Sequence, residues 1–156
     1  MNDEYLEEQI VQQIEVLVDE LGGTLKRLTR ADSTGRMSKV IEIDPQNSLA
    51  YTNRCAAKTR LQDYQGSIMD CDNAIEIDPK SSLAYTNRGT AKNALKDHQG
   101  AVADYNKAIE LDPQEGLYYS NRAIASYDLT GDLESACKDI KKGEELVFDY
   151  CEELED

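Results

Sequence analysis

Residues 48–81 and 82–115 are two copies of one 34-residue unit. Nineteen of the 34 positions are identical without a gap, from Ser48 and Ser82 to Pro79 and Pro113. A third copy opens in phase, because Leu117, Tyr119, Asn121, Arg122, Ala125 and Leu129 each lie 34 residues after a counterpart. The end of an earlier copy also survives. Val40-Ile41-Glu42-Ile43-Asp44-Pro45 stands 34 residues before Ala74-Ile75-Glu76-Ile77-Asp78-Pro79. A unit this short cannot bury its own apolar face, so repetition at a fixed period dictates an array of stacked neighbours.

Each unit reads as two antiparallel helices. In 82–115 the first helix is expected from about Ser82 to Leu95, with Leu83, Tyr85, Ala91 and Leu95 supplying apolar surface and Ser81 or Ser82 its cap. Lys96-Asp97-His98 makes the turn, and Asp97 is placed to cap the second helix. That helix runs to about Leu111 with Ala101, Tyr105, Ala108 and Ile109 on one side, and Pro113 punctuates its end. The small residues let paired helices approach closely. Arg54, Arg88 and Arg122 recur on the first helices and Asp70 and Asp104 on the second. Pairs Arg54–Asp70, Arg88–Asp104 and Arg122–Asp139 are therefore expected, each contributing under about 1 kcal/mol if exposed.

The unit resembles the tetratricopeptide repeat. The resemblance rests on an aromatic near the start of the first helix (Tyr85), a small residue four later (Gly89), Ala101-x-x-x-Tyr105, and Ala108-Ile109-Glu110-Leu111-Asp112-Pro113, all at a 34-residue period. It covers 48–115 without gaps, 116–143 with drift, and touches 36–47 as the tail of a degenerate unit. The resemblance implies an all-α, right-handed solenoid of antiparallel helix pairs with a concave groove lined by the first helices. Residues 1–156 then form one domain. Its parts are an N-terminal capping helix and degenerate repeat (1–47), repeats at 48–81 and 82–115, a divergent repeat at 116–143, and an acidic cap or tail at 144–156.

Both ends read as caps, since terminal units of a solenoid need a polar outer face. Leu6, Ile10, Ile14, Leu17 and Leu21 mark an amphipathic helix ended by Gly22-Gly23, and Asp32-Ser33-Thr34-Gly35 reads as a break. At the other end 132–147 resembles a final second helix whose phase has slipped, because Gly131 stands where Asp63 and Asp97 stood.

Chemistry that would make an enzyme is not visible. The glycines form no phosphate-cradling pattern, the one histidine, His98, reads as a packing residue in a turn, and the acids of the middle segment read as caps or solvated faces. No cofactor or metal is expected, because Cys55, Cys71, Cys137 and Cys151 show no C-x-x-C pairing and one histidine cannot complete a zinc set. All four thiols are expected to be reduced, with Cys55 and Cys71 close on the two helices of one unit. No apolar run approaches the roughly 20 residues that span a bilayer, and the acidic start is unlike a secretory signal, so the expectation is a cytoplasmic protein.

The function class that remains is protein binding. By the resemblance, the groove presents Leu49, Thr52, Asn53, Ala56 and Thr59 in the first full unit. The second contributes Leu83, Thr86, Asn87, Thr90 and Asn93, and the third Leu117, Ser120, Asn121, Ile124 and Tyr127. Asn53, Asn87 and Asn121 form a ladder of amides, each able to donate and accept at once, as the backbone of a bound peptide requires. Some members of the family clamp chaperone tails ending Glu-Glu-Val-Asp through lysine and arginine. Here those cation positions fall on Thr52, Leu117 and Asn121, so the clamp is missing. The leading expectation is an adaptor holding an extended peptide or a partner helix. A self-assembling protein that uses the N-terminal helix as dimer contact, and a dedicated chaperone of one partner, are the alternatives.

The net charge of −14 is concentrated at the ends. Residues 1–21 hold seven acids and no base, 144–156 hold seven more, and 22–143 are formally neutral. This pattern offers nothing to a phosphate backbone and makes a nucleic-acid partner a poor fit. The acidic ends serve either as solubilising caps or as a field that steers a basic partner toward the groove. Steering raises the association rate more than the final affinity, and salt screens it over about 8 Å at physiological ionic strength. A steered partner should bind several-fold more slowly at high than at low salt in stopped-flow measurements, and deleting 149–156 should flatten that dependence. A salt-indifferent rate would leave the ends as caps.

Overall fold

The computed structural model describes residues 33–143, and they contain helices and no strand. Helix α1 occupies 33–43. Three pairs follow: α2 (Ser48–Arg60) with α3 (Tyr64–Ile77), α4 (Ser82–Ala94) with α5 (His98–Leu111), and α6 (Gly116–Thr130) with α7 (Leu133–Gly143). Each helix packs on its partner and on the next unit, and α2, α4 and α6 stand side by side, giving the right-handed α-solenoid. The expected N-terminal helix over Leu6–Leu21 and the segment after Gly143 lie outside the described residues. The break expected at Asp32-Ser33-Thr34-Gly35 is not found at 33–35, which are helical. Those residues are in register with 67–69 of α3, and packing against the stack outweighs their poor intrinsic propensity.

The helix starts follow from capping. Asn47, Ser81 and Glu115 accept from backbone amides in the first turns of α2, α4 and α6, while Asp63 and Asp97 do so for α3 and α5. In the first two turns between paired helices, Gln62 and Lys96 take positive φ just before those aspartates. In the third unit one residue is inserted. Gly131, with φ 72°, takes the left-handed position and Asp132 accepts from the Ser135 amide as the cap of α7. The slip anticipated at Gly131 is therefore a one-residue insertion at the end of the first helix, and everything beyond it is 35 rather than 34 residues from its counterpart.

The interior is built from small side chains. Ala74, Ala84, Ala91, Ala101, Ala108, Ala123 and Ala125 are fully buried, with Tyr105, Tyr118 and Tyr119 as the bulky fillers. Alanine removes little apolar area from water, so such a core supports close helix approach with modest hydrophobic stabilisation per residue.

A polar clamp repeats through that interior. Arg54 donates from Nε and Nη2 to the Asp70 carboxylate at 2.8 and 2.6 Å; Arg88 binds Asp104 at 3.0 and 2.6 Å, and Arg122 binds Asp139 at 2.7 and 2.6 Å. The remaining Nη1 reaches back to the preceding unit: Arg54 to Ser38, Arg88 to Asp72 and Arg122 to Asn106, at 3.1, 2.6 and 2.7 Å. Each guanidinium also lies 5.4–5.6 Å from the ring centre of the tyrosine one turn earlier, Tyr51, Tyr85 or Tyr119. Lys58 and Lys92 add a second cation to Asp70 and Asp104, both at 2.8 Å. Burial works against the charge on Arg88, but hydrogen bonds to Asp104 and Asp72 more than offset it and raise its pKa. In Arg54 and Arg122 the bonds to Asp70 and Asp139 are the largest influence and also raise it.

The expected pairs form, but the value set for exposed ones does not transfer. The side chains of Asp70 and Asp104 are only 3% and 5% exposed, against 18% for Asp139. Removing one partner of a buried pair strands the other charge.

The expectation of reduced thiols fails for one pair, because Cys55 and Cys71 form a disulfide. The register explains it. Their counterparts in the second unit are Gly89 and Tyr105, and a Cβ on Gly89 would come within 2.9 Å of the Tyr105 ring. This is a point of closest approach between paired helices, and with cysteine on both sides the Cα atoms stand 5.5 Å apart, within the range a disulfide bridges. A domain of this size does not need a bridge, but the close approach of its paired helices makes one. Closing this 16-residue separation contributes about 3 kcal/mol in the chain-entropy account. Cys137 is half-buried on α7, and Cys151 lies outside the described residues.

Two outcomes test this packing. In urea unfolding followed by circular dichroism, Asp104→Ala should cost about 3–5 kcal/mol and Asp139→Ala distinctly less; equal losses would refute the dependence on burial. Alkylation of the denatured, unreduced chain followed by peptide mapping should leave Cys55 and Cys71 unmodified until a reductant is added.

Candidate functional site

The caps that start α2, α4 and α6 also set the phase of their outer faces. Leu49, Leu83 and Leu117 each occupy the second helical position and are 65%, 54% and 55% exposed, a recurring apolar exposure along this face. Asn53, Asn87 and Asn121 follow four residues later on the same face, one turn along. Asn53 is exposed and the other two are half-exposed. No side-chain partner satisfies these three amides among the described residues.

The remaining residues assigned to the groove divide. Thr52 and Thr86 are buried, and their hydroxyls donate one turn back to the carbonyls of Ser48 and Ser82 at 3.0 and 2.9 Å. They are structural and present little to a ligand. Ser120 makes the equivalent bond to Gly116 at 3.4 Å while staying half-exposed. Thr90 is exposed, although its hydroxyl binds the Thr86 carbonyl and approaches Tyr105 Oη at 3.2 Å. Thr59 is engaged with the Ser67 hydroxyl at 2.6 Å, and Ala56 is half-buried. Ile124 and Tyr127 are exposed, so the face grows more apolar toward the third unit.

Asn93 differs from its expected role. Its Oδ1 lies 2.6 Å from His98 Nδ1, and the same nitrogen is 3.9 Å from Asp128 of the next unit. His98 is half-buried, as a packing residue would be, and also bonds back to α4 through Asn93. A histidine five residues after an asparagine is too common a pattern to have signalled this. Burial of Tyr105 pushes its phenol pKa up, in keeping with its place under α4.

The family description "Tetratricopeptide repeat" matches residues 82–115, the unit at the centre of this face. The fold is a tetratricopeptide-repeat solenoid. The first tetratricopeptide domain of Spaghetti (RPAP3), bound to the HSP90 peptide SRMEEVD, is similar at 27% identity with TM-score 0.64, over 76% of this chain and 96% of that one. The Arabidopsis OM64 tetratricopeptide domain is 29% identical with TM-score 0.60, over 75% and 93%. MamA is similar in fold, at 24% identity and TM-score 0.66 over 73% of this chain; the chain spans 66% of that structure, just under two thirds. No curated protein matches the sequence significantly.

Proposed function

We propose that this tetratricopeptide-repeat chain is an adaptor that holds an extended peptide or a helix of a partner protein along α2, α4 and α6. One observation carries the reading: Asn53, Asn87 and Asn121 have no side-chain partner among the described residues and stand in register beside three exposed leucines. A peptide backbone would satisfy the amides while its apolar side chains cover Leu49, Leu83 and Leu117. The acidic ends favour a partner with basic character. The related domain that holds SRMEEVD supports peptide binding as a use of this architecture. A carboxylate-terminated tail is nevertheless the wrong ligand here, since Thr52 is buried and Leu117 and Asn121 carry no charge.

The test is calorimetry with a partner peptide obtained by affinity capture and mass spectrometry. Asn87→Ala should weaken binding by about 0.5–1.5 kcal/mol, the usual worth of a hydrogen bond, with the fold intact. The peptide SRMEEVD should give no measurable heat. If all three asparagines can be replaced without loss, or if SRMEEVD binds as well as the captured peptide, the reading fails.

A further inference from the structure

Tyr51, Tyr85 and Tyr119 occupy one position of the first helices, and the second-helix residue at the matching register position differs between units. In the third unit it is Lys142, whose Nζ lies 4.9 Å from the centre of the Tyr119 ring, and that tyrosine is buried. In the second it is Lys107, ion-paired with Glu110 at 2.8 Å. In the first, the residue in register is Asn73, too short for the task. Its amide turns back on α3 and donates to the Met69 carbonyl at 2.9 Å. A cavity of about 420 Å³ opens beside it, lined by Pro45, Gln46, Tyr51, Asn73, Glu76 and Ile77. Glu76, the counterpart of Glu110, meets no cation among the described residues.

We propose that this cavity receives the side-chain ammonium of a lysine on a partner protein as a second cation at the Tyr51 ring beside Arg54, as Lys142 joins Arg122 at Tyr119, with Glu76 as its counter-charge. The chain's own units display the parts: in the third a lysine against the tyrosine ring, and in the second a lysine at the matching position paired with a glutamate one turn along the helix. The cavity is partly open to solvent, with Pro45, Asn73 and Glu76 exposed and Tyr51 and Ile77 half-buried, so an ammonium on the ring gains the modest attraction of a partly exposed cation–π contact. The negative charge of the whole chain favours approach of a basic segment. The cavity is separate from the groove. Tyr51 is two residues from both Leu49 and Asn53, about 200° around an α-helix, so its ring points away from the peptide face. The inference therefore stands or falls independently of the proposed adaptor function.

The experiment uses the full chain with isotope-labelled tyrosine, titrated in NMR with Nα-acetyl-lysine N-methylamide and, in parallel, with the uncharged norleucine analogue. The Tyr51 ring resonances should shift with the lysine compound about threefold more than with norleucine, the scale of a cation–π contact at a partly exposed site. Tyr85 and Tyr119 should not respond. Glu76→Gln should reduce the response, and Asn73→Lys, which reproduces the second unit's arrangement, should abolish it while the other tyrosine resonances report an intact fold. An equal response to both compounds, a response that survives Asn73→Lys, or no response at Tyr51 would each overturn the proposal.

Discussion

The stack depends on a carboxylate held between the two helices of each unit, and buried there in the first two. Asp70 and Asp104 are nearly sealed from water, and a lone carboxylate there would be strongly unfavourable. Each is held by two donors of one arginine and by a lysine, so its charge and lone pairs are met. The same arginine bonds to the previous unit, which makes the pairing within a unit and the stacking between units one event. With a core largely of alanine, apolar burial alone specifies the register of one helix on the next only weakly. The planar guanidinium, bidentate on one side and reaching across on the other, accepts a single geometry.

Much of this was legible because a 34-residue period multiplies every signal. Helix limits, the Asp63 and Asp97 caps and the Arg–Asp pairs all follow from aligned positions. Even the unforeseen third contact of each arginine leaves a trace, since Ser38, Asp72 and Asn106 lie at 34-residue intervals and all accept hydrogen bonds. What the period hides is the difference between units. Cys55 and Cys71 occupy positions where the next copy has Gly89 and Tyr105, and only the approach of the helices shows that one small and one large residue have been replaced by two that bond.

The groove was less legible than the fold for a related reason. Helical periodicity assigns a face but cannot tell whether a hydroxyl on its margin is available. Thr52 and Thr86 are spent on their own helices, while Asn53 and Asn87, one residue on, remain unpaired. Asn93 was consumed by a turn that brings His98 beside it. Neither outcome has a sequence signature, because both depend on which neighbour the third dimension supplies.

The adjacency of Asn and Arg in every unit links the two halves of the structure. Consecutive residues on a helix point about 100° apart, so the arginine that locks the stack and the asparagine on the outer face share one backbone segment. Packed helices lie about 8–10 Å apart, and an extended strand advances about 3.3 Å per residue. Successive rungs of the amide ladder therefore match about every third residue of an extended peptide. The clamp fixes that spacing, because any change in the angle between units would have to break the Arg88–Asp72 or Arg122–Asn106 bond. Under the proposed adaptor function, a ruler for peptide backbone would follow from how the units are held together, and the leucines beside it would supply the apolar contact that amides alone would not.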